Sequence, residues 1–339
     1  MGDIVKLKKD DKAFSKQYLI KFLFHLISIL FGVGLIVSIG HYIGIQEFLI
    51  EFKKIKIIAL IPLIIIYSFS WFFRATRLKK ITNIFKKDIS ITDSLCIEVL
   101  GNFANFIFPA KLGDVSKIIY LKKRKDLSYK QATFSALLVR IMDLIAVLSL
   151  TLVSTLFISK RIISNFSLYI SLLITIFILI AIFILIFYIK PSVYYFFFIG
   201  PLKKILPIVK RLRSLMMTSL SSLIAVYCIS LLVWTFDVLT LYIFFIMYKI
   251  NLSIIEIAFV LFLSNLIKTI PITPNGIGFY EGIMVVLLVA FGATQGLAFT
   301  VALLDHGFMN LYTLLLGFFA LYKLKINLSQ ISNLRKNPS

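Results

Sequence analysis

The chain has 339 residues, 60% of them hydrophobic, with a mean hydropathy of +0.98 and a formal net charge of +22. Soluble domains are about half apolar, so the composition excludes one and marks an integral membrane protein. The charge would suit a nucleic-acid binder, but 29 of the 37 Lys and Arg fall in four stretches, 1–21, 74–130, 190–213 and 323–339. That alternation with apolar runs is the positive-inside pattern of cytoplasmic loops, not a nucleic-acid surface.

Apolar runs at 20–40, 57–73, 131–158, 166–189, 222–248 and 299–322 are long enough to cross a hydrocarbon core about 30 Å thick. Run 20–40 follows a basic tail and has no small-residue cleavage site, so it reads as an uncleaved first span leaving a cytoplasmic N-terminus. Run 57–73 returns to a basic loop at 74–93. Segment 94–110 is apolar, yet basic residues flank it on both sides. It is therefore predicted to be a re-entrant hairpin turning near Asn105 to Pro109. Run 131–158 then exits, 166–189 returns to a basic loop at 190–221, and 222–248 exits again. The stretch 254–298 holds a second hairpin broken by Pro and Gly, and 299–322 brings the C-terminus inside. Read as full spans, the hairpins would give eight crossings instead of six, an alternative the charges leave open at 254–298. The expectation is an all-α polytopic protein of the cell membrane, a single transmembrane domain over 1–339 with short cytoplasmic tails. Cys96 and Cys228 lie in apolar segments without metal-ligand spacing, so neither a metal nor a cofactor is expected.

The polar content concentrates at two breaks. The first carries Glu98, Asn102, Asn105, Pro109, Lys111, Gly113 and Asp114; the second carries Asn265, Lys268, Pro271, Pro274, Gly276, Gly278 and Glu281. Each runs from an apolar segment bearing Asn into Pro, Gly and then an acid. Such residues are costly in lipid unless they line a protected cavity, and a matched pair of interrupted segments points to a transporter's substrate site. Gly113 and Gly278 are 165 residues apart, Asp114 and Glu281 167, and Ala136-Leu-Leu-Val-Arg140 matches Ala302-Leu-Leu-Asp-His306 at an offset of 166. Two repeats follow, about 15–158 and 166–325. Each holds three crossings and one hairpin, and the odd count makes the repeats inverted in the membrane.

Spacing groups the polar residues. Glu98, Asn102 and Asn105 share one helix stripe, Asn265 and Lys268 another, and Arg140 and Asp143 a third. Packed about a pseudo-two-fold axis, the stripes are expected to converge on one cavity. Asn102, Asn105, Lys111, Lys117, Arg140, Asn265, Lys268 and His306 are the candidates for headgroup binding. Glu98, Asp114, Asp143 and Glu281 balance charge or couple protons. Pro109, Gly113, Pro271, Pro274, Gly276 and Gly278 shape the breaks. Backbone N–H groups at the breaks and half-helix N-termini would favour an anion. Each assignment has a plainer counterpart: Arg140 and Asp143 as a neutralised structural pair, Glu98 as a protonated interhelical hydrogen bonder, Lys268 snorkelling to an interface, and the Asn residues joining helices. Asp237 is either a proton-coupling acid or a packing hydrogen bond. Tyr194 to Phe198 form an aromatic run suited to an interface.

These motifs carry a family resemblance. The chain resembles the lysylphosphatidylglycerol synthase transmembrane region, a flippase-like group of membrane proteins. Its first signature, Pro-Ala-Arg-x-Gly-Glu followed by a basic residue and Arg-x-x-Asp, is similar to Pro109-Ala-Lys111-Leu-Gly113-Asp114, Lys117 and Arg140-Ile-Met-Asp143. Its second, Pro-x-x-Pro-Gly-Gly-x-Gly-x-x-Glu, is similar to Pro271-Ile-Thr-Pro274-Asn275-Gly276-Ile-Gly278-Phe-Tyr-Glu281. The likeness spans roughly 15–325. Lys111 replaces Arg and loses its bidentate fork; Asp114 replaces Glu, Asn275 a glycine, and His306 an expected Arg. The soluble aminoacyl-transfer domain has no counterpart here. The resemblance implies lipid translocation without lipid modification.

The expected function is therefore translocation of an anionic phospholipid or a polyprenyl-phosphate-linked lipid between leaflets, with membrane lipids as partners. No His-Glu-x-x-His, Cys-x-x-Cys or P-loop motif supports an enzyme. The alternative is a non-catalytic scaffold for a lipid-modifying enzyme or a glycosyltransferase.

Overall fold

The computed structural model describes residues 23, 26–55, 57–85, 87–107, 112–125, 127–158, 174, 206–266, 268 and 273–325. The expected span 166–189 apart from Ile174, the run 194–198, and Pro109, Lys111 and Pro271 lie outside these residues. The described chain is helical, without a strand among the described residues. Its helices are α1 (Leu26–Ile43), α2 (Ile45–Phe52), α3 (Leu60–Asn83), α4 (Ile91–Ile107), α5 (Leu112–Lys125), α6 (Tyr129–Phe157), α7 (Leu206–Met247), α8 (Ile254–Leu266), α9 (Phe279–Ala290) and α10 (Gln295–Leu324). A 3-10 turn (Ile57–Ala59) precedes α3 and another (Pro274–Gly276) precedes α9.

Among the described residues, five segments are long and apolar enough to cross a membrane: α1, residues 57–83, α6, the part of α7 from Ser219 to Met247, and α10. Ser219 has φ −146° and ψ 37°, which kinks α7 at the start of that span. Outward faces are apolar: Ile61, Ile65, Phe69 and Phe72 on α3 and Leu311, Leu315 and Phe319 on α10 are exposed. This is the pattern of helices solvated by lipid tails. Several hydroxyls inside the spans are satisfied locally. Thr76, Thr151, Thr155, Thr240, Thr300 and Thr313 each donate to the carbonyl four residues back, as a medium without water requires. The protein is an integral multi-pass membrane protein.

Contacts group the chain into two compact units that interleave along the sequence. The first comprises 1–54, 99–117 and 264–339, and the second 55–98 and 118–263.

In the second unit, α3 packs against α7 and α6, and α6 against α7. Ser70 contacts Asp237 while Arg77 contacts Ser230, so α3 and α7 run antiparallel. Phe236 is stacked at 5.4 Å on Phe69 and tilted at 5.3 Å against Phe73, which fixes their register. The start of α6 is set by a capping box: the Gln131 N–H donates to Ser128 Oγ and the Ser128 N–H to Gln131 Oε1, meeting two donors that the first helical turn leaves open. The expected end of the second span at 73 needs correction. α3 continues to Asn83, which places Arg74 and Arg77 within the helix instead of in a basic loop. Their acidic partners, described below, are what make this possible.

In the first unit, α9 and α2 pack on α10. Gly32 of α1 meets the second break backbone to backbone. A Cβ on Gly32 would lie 2.7 Å from the Ile277 carbonyl oxygen, and one on Gly278 2.6 Å from that of Gly32. The second half of α4 and the first half of α5 fold back on each other. The Gly113 N–H donates to Asn105 Oδ1 at 2.9 Å, and a Cβ on Gly113 would lie 1.8 Å from the Gly101 carbonyl oxygen. Gly101 in turn faces the Lys117 side chain. The pairs 101 with 117 and 105 with 113 describe an antiparallel helical hairpin. Against it lies α10, where the Phe103 ring fills the space a Cβ on Gly317 would need.

Candidate functional site

The second break builds a connected polar network inside the first unit. Its backbone is unusual: Asn275 has φ 51°, Gly276 79° and Gly278 85°. Glycine enters the left-handed region freely, and asparagine does so more readily than other side chains. That run turns the chain into α9, whose first turn Glu281 caps by accepting the Gly278 N–H at Oε2, 2.7 Å away. The second carboxylate oxygen, Oε1, takes His306 Nδ1 from α10 at 2.7 Å. Since a carboxylate only accepts, the hydrogen of this bond sits on Nδ1, and in the neutral imidazole Nε2 is then the acceptor. Nε2 faces the Asn275 carboxamide nitrogen at 3.5 Å, and that nitrogen also donates to Asn310 Oδ1.

A second branch starts beside it. Tyr280 is tilted at 45° against His306 with ring centroids 4.6 Å apart, and its hydroxyl donates to Asp305 Oδ2 at 2.6 Å. Lys268 Nζ lies 3.8 Å above the Tyr280 ring, a cation–π contact. Tyr280, Glu281, Asp305 and His306 are all buried, whereas Asn275 is exposed. The network therefore runs from a deep acid-imidazole pair to an amide at the surface of the unit. Such an arrangement can hold and pass a proton, and it can offer Lys268 and the Asn275 amide to a polar group.

Three backbone N–H groups of the break are engaged within the chain. Gly276, Ile277 and Gly278 donate to the Thr273 carbonyl, the Pro274 carbonyl and the Glu281 carboxylate. Glu281 already occupies the position an external anion would take at the head of α9.

At the first break, Asn105 takes the equivalent seat on Gly113, with a neutral amide in place of a carboxylate. Lys117 is buried along Gly101, Asn102 is half-buried, and Asp114 is half-buried in the first turn of α5. Asn265 is half-buried at the end of α8, and Pro274 opens the 3-10 turn.

The second unit holds a separate ionic layer. Arg77 grips Asp143 with both terminal nitrogens, one through Nη2 to Oδ2 at 3.1 Å, and Nη1 also donates to Ser230 Oγ at 3.0 Å. Arg74 donates from Nη2 to Asp237 Oδ2 at 2.6 Å, while Ser70 Oγ donates to Asp237 Oδ1 at 2.6 Å. Glu98 is buried in this unit as well. The hydrogen-bonded partner of Asp143 is thus Arg77, not Arg140 on the same helix face; Arg140 is exposed. Asp237 forms an ion pair.

Arg74, Arg77, Tyr280 and Asp305 were not among the residues picked from sequence. An acid inside an apolar run needs a cation or a donor, and Asp237 and Asp143 were two such acids. The signal for their partners is the spacing of Ser70, Arg74 and Arg77, three positions on one helix face across the end of an apolar run.

Comparison with known proteins places this geometry in a family. Residues 25–317, which include both breaks and the ionic layer, match the lysylphosphatidylglycerol synthase TM region. The chain belongs to this family. Among curated relatives, the UPF0104 membrane protein MJ1078 of Methanocaldococcus jannaschii is 29% identical over 210 residues, 60% of this chain and 86% of that one. The glycosyltransferase AglD of Haloferax volcanii is 30% identical over 105 residues, 30% of this chain and only 17% of that protein. A UPF0104 membrane protein of Methanothermobacter thermautotrophicus is 32% identical over 89 residues, 26% of this chain and 27% of that one. The family match thus covers nearly the whole membrane region, while AglD shares one part of its length with it.

Proposed function

We propose that this member of the family is a lipid flippase-like transporter of the cell membrane. It moves an anionic phospholipid or a polyprenyl-phosphate-linked lipid between leaflets and carries out no catalysis of its own. The observation that carries the reading is the polar network of Lys268, Asn275, Tyr280, Glu281, Asp305 and His306, the last four buried, at a helix break in an apolar chain. A charged side chain near the centre of a bilayer is costly, about 2.5–3.5 kcal/mol on the lowest scales. Groups of this kind are accommodated where they serve a polar path, and a headgroup crossing the hydrocarbon needs one.

The reading includes inverted repeats, re-entrant hairpins and cytoplasmic termini. Helix boundaries support the repeats: the starts of α4 and α8 are 163 residues apart, those of α5 and α9 167, and those of α6 and α10 166. The α3–α7 pair adds support of another kind. Across a two-fold interface, residues nearest the axis meet their own equivalents. Phe69 meets Phe236 and Ser70 meets Asp237, both 167 residues apart, near the middle of α3. A hairpin reading suits the length of α4 and α5, 17 and 14 residues, which at 1.5 Å per residue fall short of a core about 30 Å thick.

The test is leaflet exchange in proteoliposomes with labelled anionic phospholipid and a short polyprenyl phosphate. Protein-dependent exchange that is lost in Glu281→Gln supports the reading; folded protein that exchanges neither lipid overturns it. A second reading has one observation in its favour, the partial similarity to a protein named a glycosyltransferase. In it the chain is a membrane scaffold for a lipid-modifying enzyme, and Glu281→Gln would leave its activity intact.

A further inference from the structure

The two arginines of α3 are differently engaged. Arg77 is 1% exposed and has both terminal nitrogens on Asp143. Arg74, three residues earlier, is 17% exposed. Its Nη2 is on Asp237 and its Nε is 3.4 Å from Ser70 Oγ, which leaves Nη1 with no acceptor among the described residues. A guanidinium has five N–H donors in a rigid fork, so one arm of this fork is open.

The direction of that arm matters. Arg74 lies on the face of α3 that carries Leu63, Tyr67, Ser70, Arg77 and Ile81, all buried. The lipid-facing stripe of Ile61, Ile65, Phe69 and Phe72 is on the other side of the helix. Arg74 therefore turns away from the lipid-facing stripe and still keeps solvent access. Its orientation is held: the guanidinium sits 5.6 Å from the Trp71 ring centroid, and Asp237 is fixed from below by Ser70. Asp143 and Glu98 lie within electrostatic range, so one more anion must compete with acids already present.

We infer that Arg74 is a binding position for a phosphate oxyanion, with Asp237 as the internal anion that yields to it. The ligand class is a phosphate mono- or diester, carried by a lipid headgroup or free in solution. The inference deepens the lipid-translocation reading and rests on it for the headgroup source. Arginine and phosphate match in geometry, and their charge-assisted hydrogen bonds are among the stronger ones. Exchange of Asp237 for phosphate keeps one anion on Arg74 throughout, and the Ser70 hydroxyl still donates to the released carboxylate.

Trp71 is a reporter in contact with the site, and Trp234 is the other tryptophan. The experiment uses the full chain in detergent carrying Trp234→Phe, and follows Trp71 emission on titration with dihexanoyl phosphatidylglycerol, inorganic phosphate or dihexanoyl glycerol. A saturable change with the phospholipid and none with the phosphate-free lipid is expected. Weaker binding of inorganic phosphate assigns the site to a headgroup, and equal binding assigns it to free phosphate; both sustain a phosphate position. Asp237→Asn, which removes the competitor, should tighten binding. The pair Arg74→Gln/Asp237→Asn leaves no orphan charge and should bind about tenfold to a hundredfold more weakly. Should that variant aggregate, Arg74→Lys serves instead: it keeps the ion pair, lacks the second arm, and should bind about tenfold more weakly. No saturable response in the parent, or affinity unchanged in the folded variant tested, overturns the inference. Binding without leaflet exchange would overturn the transport reading and leave this one standing.

Discussion

Removing Arg77 should be among the most damaging single changes in the second unit, and the loss should be recovered by a second change. Arg77→Met deletes the bidentate partner of Asp143 and the donor to Ser230. The lone carboxylate that remains is the source of the cost. Breaking a buried ion pair from one side typically costs about 3–5 kcal/mol. The Asp143 side chain keeps 18% exposure, so partial hydration places this case near the lower end, about 3 kcal/mol. Replacing both members, Arg77→Met/Asp143→Leu, removes the charge together with its partner. Such double replacements are often neutral, so the double variant should lie within about 1 kcal/mol of the parent, a coupling of about 2 kcal/mol or more. Unfolding by SDS titration from mixed micelles, followed by tryptophan emission, gives the four free energies of the cycle. A double variant as damaged as the sum of the two singles would refute the reasoning, because it would mean that the groups act independently.

Gly113→Ala should disrupt the first hairpin, since its Cβ would fall 1.8 Å from a backbone oxygen, whereas Gly101→Ala displaces only the Lys117 side chain; overpacking of this kind costs about 1–3 kcal/mol, and the yield of monodisperse protein should separate the two. Gly276→Ala should destabilise by at least about 1 kcal/mol, from its φ of 79° and the 2.8 Å approach to Lys268 Cγ, measured in the same titration. Asn275→Gly relieves left-handed strain but removes the donor to Asn310 and His306; it should leave stability nearly unchanged and slow leaflet exchange, and exchange at the parent rate would take the Asn275 amide out of the path. For topology, single cysteines at Lys123 and Ala293 in a cysteine-free background should react oppositely with an impermeant maleimide on intact cells, Ala293 labelled and Lys123 protected. Labelling at Lys123 would overturn both the re-entrant hairpin and the cytoplasmic assignment of its flanks.

The legibility of this chain in its sequence followed the physics of lipid. Apolar runs had to be helices, and the helix starts near 131, 222 and 299 lie within a few residues of the spans α6, the later part of α7 and α10. The breaks were legible because Pro and Gly near Asn and acids are conspicuous where nearly everything else is aliphatic. Glu281 and His306 were both named, but their hydrogen bond was not, since 25 residues and a helix turn separate them. Tyr280 and Asp305 escaped because each adjoins a residue that drew the attention first. Arg74 and Arg77 escaped for a firmer reason. Basic residues after an apolar run ordinarily mark the cytoplasmic boundary, and only the acids on α6 and α7 show that these two belong inside.

The α3 ion pairs also set a schedule for synthesis. Arg77 waits for an acid 66 residues downstream, and Arg74 for one 163 residues downstream. At about 5–20 residues per second, these gaps last about 3–13 s and 8–33 s. Throughout the longer interval α3 exists as a nascent segment with an uncompensated cation, which a ribosome-bound chain can tolerate only at the wet rim of the bilayer or beside the insertion machinery. Final seating of α3 therefore has to follow the emergence of α7, so that a helix near the front of the chain is among the last to be locked in place.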